Sequence, residues 1–220
     1  MKYLSITALV LFLTSIAVPV QSQWAVAPEI VIAVPQSDFE NVSRTGGGFG
    51  VKVIRSFKNG LQLRGDFAFL SFGKEFNQLT DRNGTPIIDI FGFPIIAEFR
   101  NQSLRMTFGP QYTLGVADNF KVYAGVNGGF YYFRTNVTAQ GSTFGFTDSR
   151  DNSVALGWNF GGGLLYDIGL GPWIDASVQY TSIANVSSRS KTQNAQGKFD
   201  TVDITAKEIT VKFGVIFFLK

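Results

Sequence analysis

The sequence predicts an all-β chain, an eight-stranded antiparallel up-and-down transmembrane β-barrel, on three observations. First, the stretch 206–220, AKEITVKFGVIFFLK, alternates with a period of two. Ile209, Val211, Phe213, Val215, Phe217 and Leu219 fall on one side of it, and Glu208, Thr210, Lys212, Gly214, Ile216 and Phe218 on the other. Successive side chains of a strand point to opposite faces, so this pattern gives one hydrocarbon face and one that carries charge. Second, seven further stretches upstream read as strands. Third, the connections between them alternate long and short, as in an outer-membrane barrel with short turns on the periplasmic side and long loops outside.

Composition agrees and excludes several functions. The chain holds 22 Phe and 24 Gly, with only 16% charged residues. Phe favours strands, and Gly permits turns and close strand contacts. A formal charge of +3, dispersed along the chain, does not point to nucleic acid. Cys and His are both absent. That removes disulfides, thiolate metal sites, a Cys nucleophile, the usual general base and the commonest metal ligand. The expectation is a protein without cofactor or metal and without catalysis. Paired carboxylates such as Asp167 and Asp175 are better read as members of salt bridges than as an acid–base pair.

In chain order, residues 1–22 read as a secretory signal. Lys2 gives the positive start, an apolar run follows, and Val20 and Ser22 are small residues at the spacing of a cleavage site. The expected domains are therefore a signal peptide, 1–22, and a barrel, 23–220. The first strand, 29–35, is nearly all apolar and shows no alternation. The second, 47–57, sets Phe49, Val51, Val53 and Phe57 against Gly48, Gly50, Lys52, Ile54 and Ser56. Lys58-Asn59-Gly60 is a tight-turn signal, because Asn and Gly tolerate positive φ.

The third strand, 61–73, places Leu61, Leu63, Phe67 and Phe69 outward and Gln62, Arg64 and Asp66 inward. The fourth, 103–116, carries Leu104, Met106, Phe108, Tyr112 and Leu114 opposite Arg105, Thr107, Gly109 and Gln111; Pro110 within it should mark a bulge or an unpaired position. The fifth covers 120–134, the sixth 154–168, the seventh 173–184 and the eighth 206–220. Long connections are expected at 36–46, 74–102, 135–153 and 185–205. The glycine triplets at 46–48 and 161–163 lack a phosphate-loop context and read as places where the wall curves or admits bulky neighbours.

These features resemble the small eight-stranded outer-membrane β-barrels, the OmpA-like and OmpX-like barrel domain family. The resemblance spans 23–220 and rests on the signal, the strand count, the loop alternation, the run IAVPQSDF at 32–39 and the strand VKFGVIFFL at 211–219. It implies a monomer in the bacterial outer membrane, without the peptidoglycan-binding domain of two-domain relatives. The implied partners are outer-membrane lipid and lipopolysaccharide, and the barrel-insertion machinery during biogenesis. The implied role is structural or a cell-surface interaction. Outer-membrane acyl hydrolases, palmitoyl transferases and barrel proteases use a His that this chain lacks.

The inward parity collects Lys52, Arg64, Asp66, Arg105, Lys121, Asp167, Asp175, Glu208 and Lys212. An Arg or Lys on the lipid face costs about 2–4 kcal/mol near the midplane, so a barrel needs such charges on the other side. A lumen of eight strands is just wide enough for side chains to fill, and opposite charges there should pair. The expected result is a polar network that fills the barrel; a narrow gated ion path is the alternative. A soluble lipocalin-like carrier is the rival from another class, and it would invert the parity.

Trp24, Trp158, Trp173, Tyr112, Tyr132, Tyr166 and Tyr180 are candidates for interfacial girdles, while Tyr123 and Tyr131 have inward parity. The connection at 74–102 has an apolar centre, 86–99. Its Ile87, Ile88, Ile90, Phe91, Phe93, Ile95 and Ile96 read either as a self-packed hairpin or as a patch for an extracellular partner, a surface adhesion contact or lipopolysaccharide acyl chains.

Overall fold

The computed structural model describes residues 23–81, 83–141, 145–169, 171–193 and 199–219. The expected signal segment, 1–22, lies outside them. The strands are β1 (Gln23–Gln36), β2 (Arg44–Ser56), β3 (Leu61–Gly73), the short β4 (Glu75–Gln78), β5 (Ile96–Ala117), β6 (Phe120–Gly141), β7 (Gly145–Asp167), β8 (Trp173–Gln193) and β9 (Phe199–Leu219). Their order is β3-β2-β1-β9-β8-β7-β6-β5-β4, and a β3–β5 pairing closes the ring. β4 prolongs β3 along the same edge of β5 (Phe76 opposite Glu98), so eight long strands make the wall. All the pairings are antiparallel, and a closed ring leaves no spanning strand with an open edge in lipid. Among the described residues no helix is long and apolar enough to cross a membrane.

Side-chain alternation explains why these segments pair as they do. On β2, Phe49, Val51 and Val53 are exposed while Lys52 and Ile54 are buried in the ring. On β5, Leu104, Met106 and Phe108 face out, and Ser103, Arg105 and Thr107 face in. β1 obeys the same rule, contrary to expectation, and starts at Gln23. Its inward residues include Ala25, Ala27, Val31 and Ala33, small apolar groups that make both faces look alike in sequence. Glu29 is the one charge among them, and it points inward, 5% exposed.

The strands also run further than expected at one end. The expected loops at 135–153 and 185–205 are largely strand: the β6–β7 ladder continues from Phe120↔Tyr166 to Gly141↔Gly145, and β8 and β9 pair as far as Gln193↔Phe199. These segments are rich in Thr, Asn, Ser and Asp. Their described residues stand above the lipid belt, need no apolar face, and so lose the alternation that reveals a spanning strand. The other end keeps tight turns. Asn59 and Gly60 have φ of 64° and 80°, as the Lys58-Asn59-Gly60 signal requires. Pro110 causes no bulge but sits at a gap in the ladder with β6: Phe108 faces Gly128 and Gln111 faces Gly125 in unshifted register, and the two residues between, Gly109 and Pro110, are unpaired on that side.

Candidate functional site

The inside of the ring is stacked in three tiers. At the short-turn end, Ala25, Ala27, Ile54, Leu165, Trp173 and Ile216 pack with Tyr123 and the half-buried Phe218. Trp173 is thus turned inward, 9% exposed, and meets Phe218 edge-on at 6.1 Å; it is not a girdle residue. At the tall end, a short 3-10 turn, Ser37–Asn41, folds over the mouth and drops Phe39 inside. Phe39 packs edge-on against Phe72 (5.1 Å) and Phe133 (5.9 Å), with Leu70 and Ile183 in the same cluster.

The middle tier is ionic. Lys52 pairs with Asp175 and with Glu29 Oε1, at 2.5 Å in the latter case. Tyr123 donates its hydroxyl to Asp175 Oδ1 at 2.7 Å. Lys212 reaches Asp66 Oδ1 at 3.0 Å and Glu29 Oε2 at 3.5 Å. Arg64 forks onto both oxygens of Asp66, at 2.7 Å each, and donates to Gln111 Oε1 at 3.3 Å. Arg105 and Glu208 form a second unit, with Arg105 Nη2 donating to Oε2 at 2.6 Å and Nε to Ser103 Oγ at 2.9 Å. The Arg105 guanidinium also lies 5.8 Å from the centre of the Tyr131 ring. Burial of an unpaired charge costs several kcal/mol, so pairing of this density is what lets the charges stay inside. Among the described residues this tier holds four cations and four anions, all less than 9% exposed.

Of the nine charges with inward parity, the structure brings together Lys52, Arg64, Asp66, Arg105, Asp175, Glu208 and Lys212. Lys121 and Asp167 are elsewhere. Lys121 lies at the short-turn mouth with Nζ 4.3 Å from the centre of the Trp173 ring, in an open vestibule of about 480 Å³. Asp167 caps the turn after β7, accepting from the Gly169 amide at 2.8 Å. Both sit too near the strand ends to reach the middle tier. Glu29 is the member that sequence reasoning missed. Its signal was there, a lone carboxylate in an apolar run, but the strand's parity was unreadable. A residual cavity of about 10 Å³ among Asp66, Arg105, Tyr131 and Lys212 has room for at most about one water.

Two glycines make the tiers possible. A Cβ on Gly163 would lie 2.6 Å from the Tyr123 ring, and one on Gly157 would lie 2.8 Å from the Tyr131 ring. The two tyrosine rings come this close to the wall because these positions are bare.

Outside, an apolar belt surrounds the ring. On β5 it runs from Leu104 to Leu114, ten residues or about 25 Å along the normal for a strand tilted near 40°. Trp24, Trp158, Tyr112, Tyr132 and Tyr166 are exposed on it. This orientation is the reverse of a lipocalin-like carrier. The apolar connection after β4 splits into two sets. Leu79, Ile95 and the half-buried Ile87 pack with Ala97, Phe99 and Val137, whereas Ile88, Ile90, Phe91, Phe93 and Ile96 are exposed.

An outward apolar belt on a closed ring, around a tier of buried, paired charges, defines a transmembrane β-barrel protein. More particularly, residues 8–217 match the outer membrane protein beta-barrel domain; the chain belongs to that family and resides in the bacterial outer membrane. Among solved structures, it is similar to a major outer membrane protein from Thermus thermophilus, at 10% identity and a TM-score of 0.57, over 90% of this chain and 100% of that one. It is also similar to Ail, the attachment invasion locus protein of Yersinia pestis, at 17% identity and a TM-score of 0.46, over 89% and 99% of the two chains, in a complex with the heparin analogue sucrose octasulfate. A third is Neisserial surface protein A, at 16% identity and a TM-score of 0.43, over 87% and 96%. The first of these likenesses bears on the fold alone. No curated protein matches the chain.

Proposed function

We propose that the protein is a non-conducting, non-catalytic barrel that anchors a tall β-extension on the outer face of the membrane as a platform for cell-surface interaction. The observation that carries this reading is the filled lumen: a neutral ionic tier between two apolar tiers, with a central void of about 10 Å³. An ion would have to break buried pairs and cross both apolar tiers, and the desolvation that this demands is large. The absence of His from the chain supports the non-catalytic half.

The short turns belong on the periplasmic side and the tall end outside, the arrangement that such barrels share. Lys74, exposed above the belt beside Glu98 at 2.7 Å, should then react with an impermeant amine reagent on whole cells. The mature domain is 23–220, a monomer in contact with lipid and lipopolysaccharide through the belt and delivered by the barrel-insertion machinery. The test is conductance of the purified protein in a planar bilayer. A silent bilayer is expected. Steady openings would replace this reading with the narrow ion path.

A further inference from the structure

Residues 79–94 contain one eight-residue pattern twice. Leu79-Thr80-Asp81-Arg82-Asn83-Gly84-Thr85-Pro86 is followed directly by Ile87-Ile88-Asp89-Ile90-Phe91-Gly92-Phe93-Pro94. The first, third, sixth and eighth places keep an aliphatic residue, Asp, Gly and Pro. Each of these has a structural duty. Asp81 Oδ1 accepts from the amides of Asn83 and Thr85, both at 2.8 Å; Asp89 Oδ1 accepts from those of Phe91 and Phe93, both at 2.9 Å. Gly84 and Gly92 take φ of 80° and 82°, where a side chain would be strained. Pro86 bridges to Thr80, and Pro94 to Ile88.

The aliphatic places form the hub. Leu79 N donates to Ile95 O, Ile95 N to Ile87 O and Ile87 N to Leu79 O, at 2.9, 3.0 and 2.9 Å, a closed triangle of backbone bonds. Two sibling hairpins therefore leave one junction on the same backbone plan. They differ at the other four places. Thr80, Arg82, Asn83 and Thr85 in the first become Ile88, Ile90, Phe91 and Phe93 in the second. The latter four are 58–68% exposed. The first hairpin is an internal control, since it holds the same hydrogen bonds with polar residues at those places. Folding does not require the apolar set, and contiguous exposed apolar surface of this kind marks contact sites.

The bilayer is out of its reach. Ile96, beside the junction, is eight residues beyond Leu104, the last apolar position of the belt on β5. At about 3.3 Å per residue and a tilt near 40°, that is roughly 20 Å above the hydrocarbon. The three residues from Ile88 to the tip span about 10 Å, so even a hairpin folded straight down would stop short. The junction itself is held at the level of Phe99 and Val137 by their shared cluster. Between belt and junction lies a charged band of Lys74, Glu98 and Arg100, which apolar side chains would not cross cheaply.

We infer that Ile88, Ile90, Phe91 and Phe93 form a docking tip for an apolar pocket on a protein outside the cell. This rests on the outward placement of the tall end proposed above and gives the surface-interaction reading a site and a ligand chemistry.

The test uses the full barrel in nanodiscs, with phenyl-derivatised agarose as the stand-in for the pocket. The comparison variant carries Ile88→Thr, Ile90→Arg, Phe91→Asn and Phe93→Thr, the residues found at the same four places of the first octet. Retention of the parent barrel is expected to exceed that of the variant by at least about tenfold. Unchanged heat-modifiable mobility on SDS gels reports intact folding. The reciprocal variant, with Thr80→Ile, Arg82→Ile, Asn83→Phe and Thr85→Phe, should gain retention, and it keeps the test decisive if the first variant misfolds. Equal retention of the parent and either folded variant overturns the inference.

The chain has no Cys. Phe91→Cys therefore carries one fluorophore in proteoliposomes. Acyl-chain-brominated lipids should leave it unquenched; quenching would make the occupant lipid and also overturn the inference. None of these readouts depends on conductance, and Lys74 labelling checks the outward placement separately, so failure of the docking tip is distinguishable from failure of the reading it rests on.

Discussion

Lys52 on β2 and Asp175 on β8 are 123 residues apart in the chain and meet as an ion pair within the ring. Their strands are not neighbours, so the pair is a strut across the lumen. With Glu29 and Lys212 it links β1, β2, β8 and β9 and, through Asp66, β3. Replacing Lys52 by Met would leave two carboxylates with a lost partner. The expected loss is about 3–5 kcal/mol, read from urea unfolding in lipid vesicles.

Arg105 and Glu208 are the cleaner pair for a double-mutant cycle. Arg105→Met or Glu208→Leu alone leaves one buried charge and should cost about 3–5 kcal/mol. The double variant leaves none and should be more stable than either single variant. A double variant as unstable as the sum of the two would mean that the residues do not act as a unit.

The belt predicts a depth dependence. Phe108→Arg places a cation on the lipid side near the belt's centre and should cost about 2–4 kcal/mol. Ile96→Arg has the same outward parity but stands above the charged band, and it should stay within about 0.5 kcal/mol. Equal costs at the two positions would place the membrane wrongly.

Gly163 is bare because of what surrounds it. Gly163→Ala sets a methyl 2.6 Å from the Tyr123 ring and 2.6 Å from the Ala176 carbonyl oxygen. Overpacking of this kind costs about 1–3 kcal/mol. Shortening Tyr123 to Leu should not restore the loss in full, because the carbonyl belongs to the wall and cannot withdraw.

Phe39 closes the tall end from a turn rather than from a strand. Phe39→Ala removes a ring that is 2% exposed and should cost about 3–5 kcal/mol. Protease cleavage within 37–43 should accelerate while the spanning strands stay protected. Unchanged cleavage would show that the turn does not depend on the ring.

Much of the wall was legible because strand parity is a local property. Phe49, Val51 and Val53 against Lys52, or Leu104 and Met106 against Arg105, can be assigned from spacing alone, because a pleated backbone fixes which way each side chain points. Long strings of such pairs, with Asn59-Gly60 and similar turns between them, gave the strand count and the membrane face. Parity failed where the two sides were alike. In β1 the inward alanines match the outward Ile and Val in polarity, and Glu29 was passed over. In 135–141 and 145–153 apolar residues are too sparse to alternate with polar ones, and the ladder went unseen. The paired octets at 79–94 were hidden because only the Asp, Gly and Pro places repeat, while the places that carry chemistry differ.

By itself, then, the sequence determined a β-barrel with hydrocarbon outside and charge inside, because residue spacing and covalent geometry suffice for that. Which charges meet was decided only by ring closure and register. Lys52 finds Asp175, and Lys121 finds the Trp173 ring, through contacts between strands far apart in the chain, and no local pattern records how high on the wall each residue will sit.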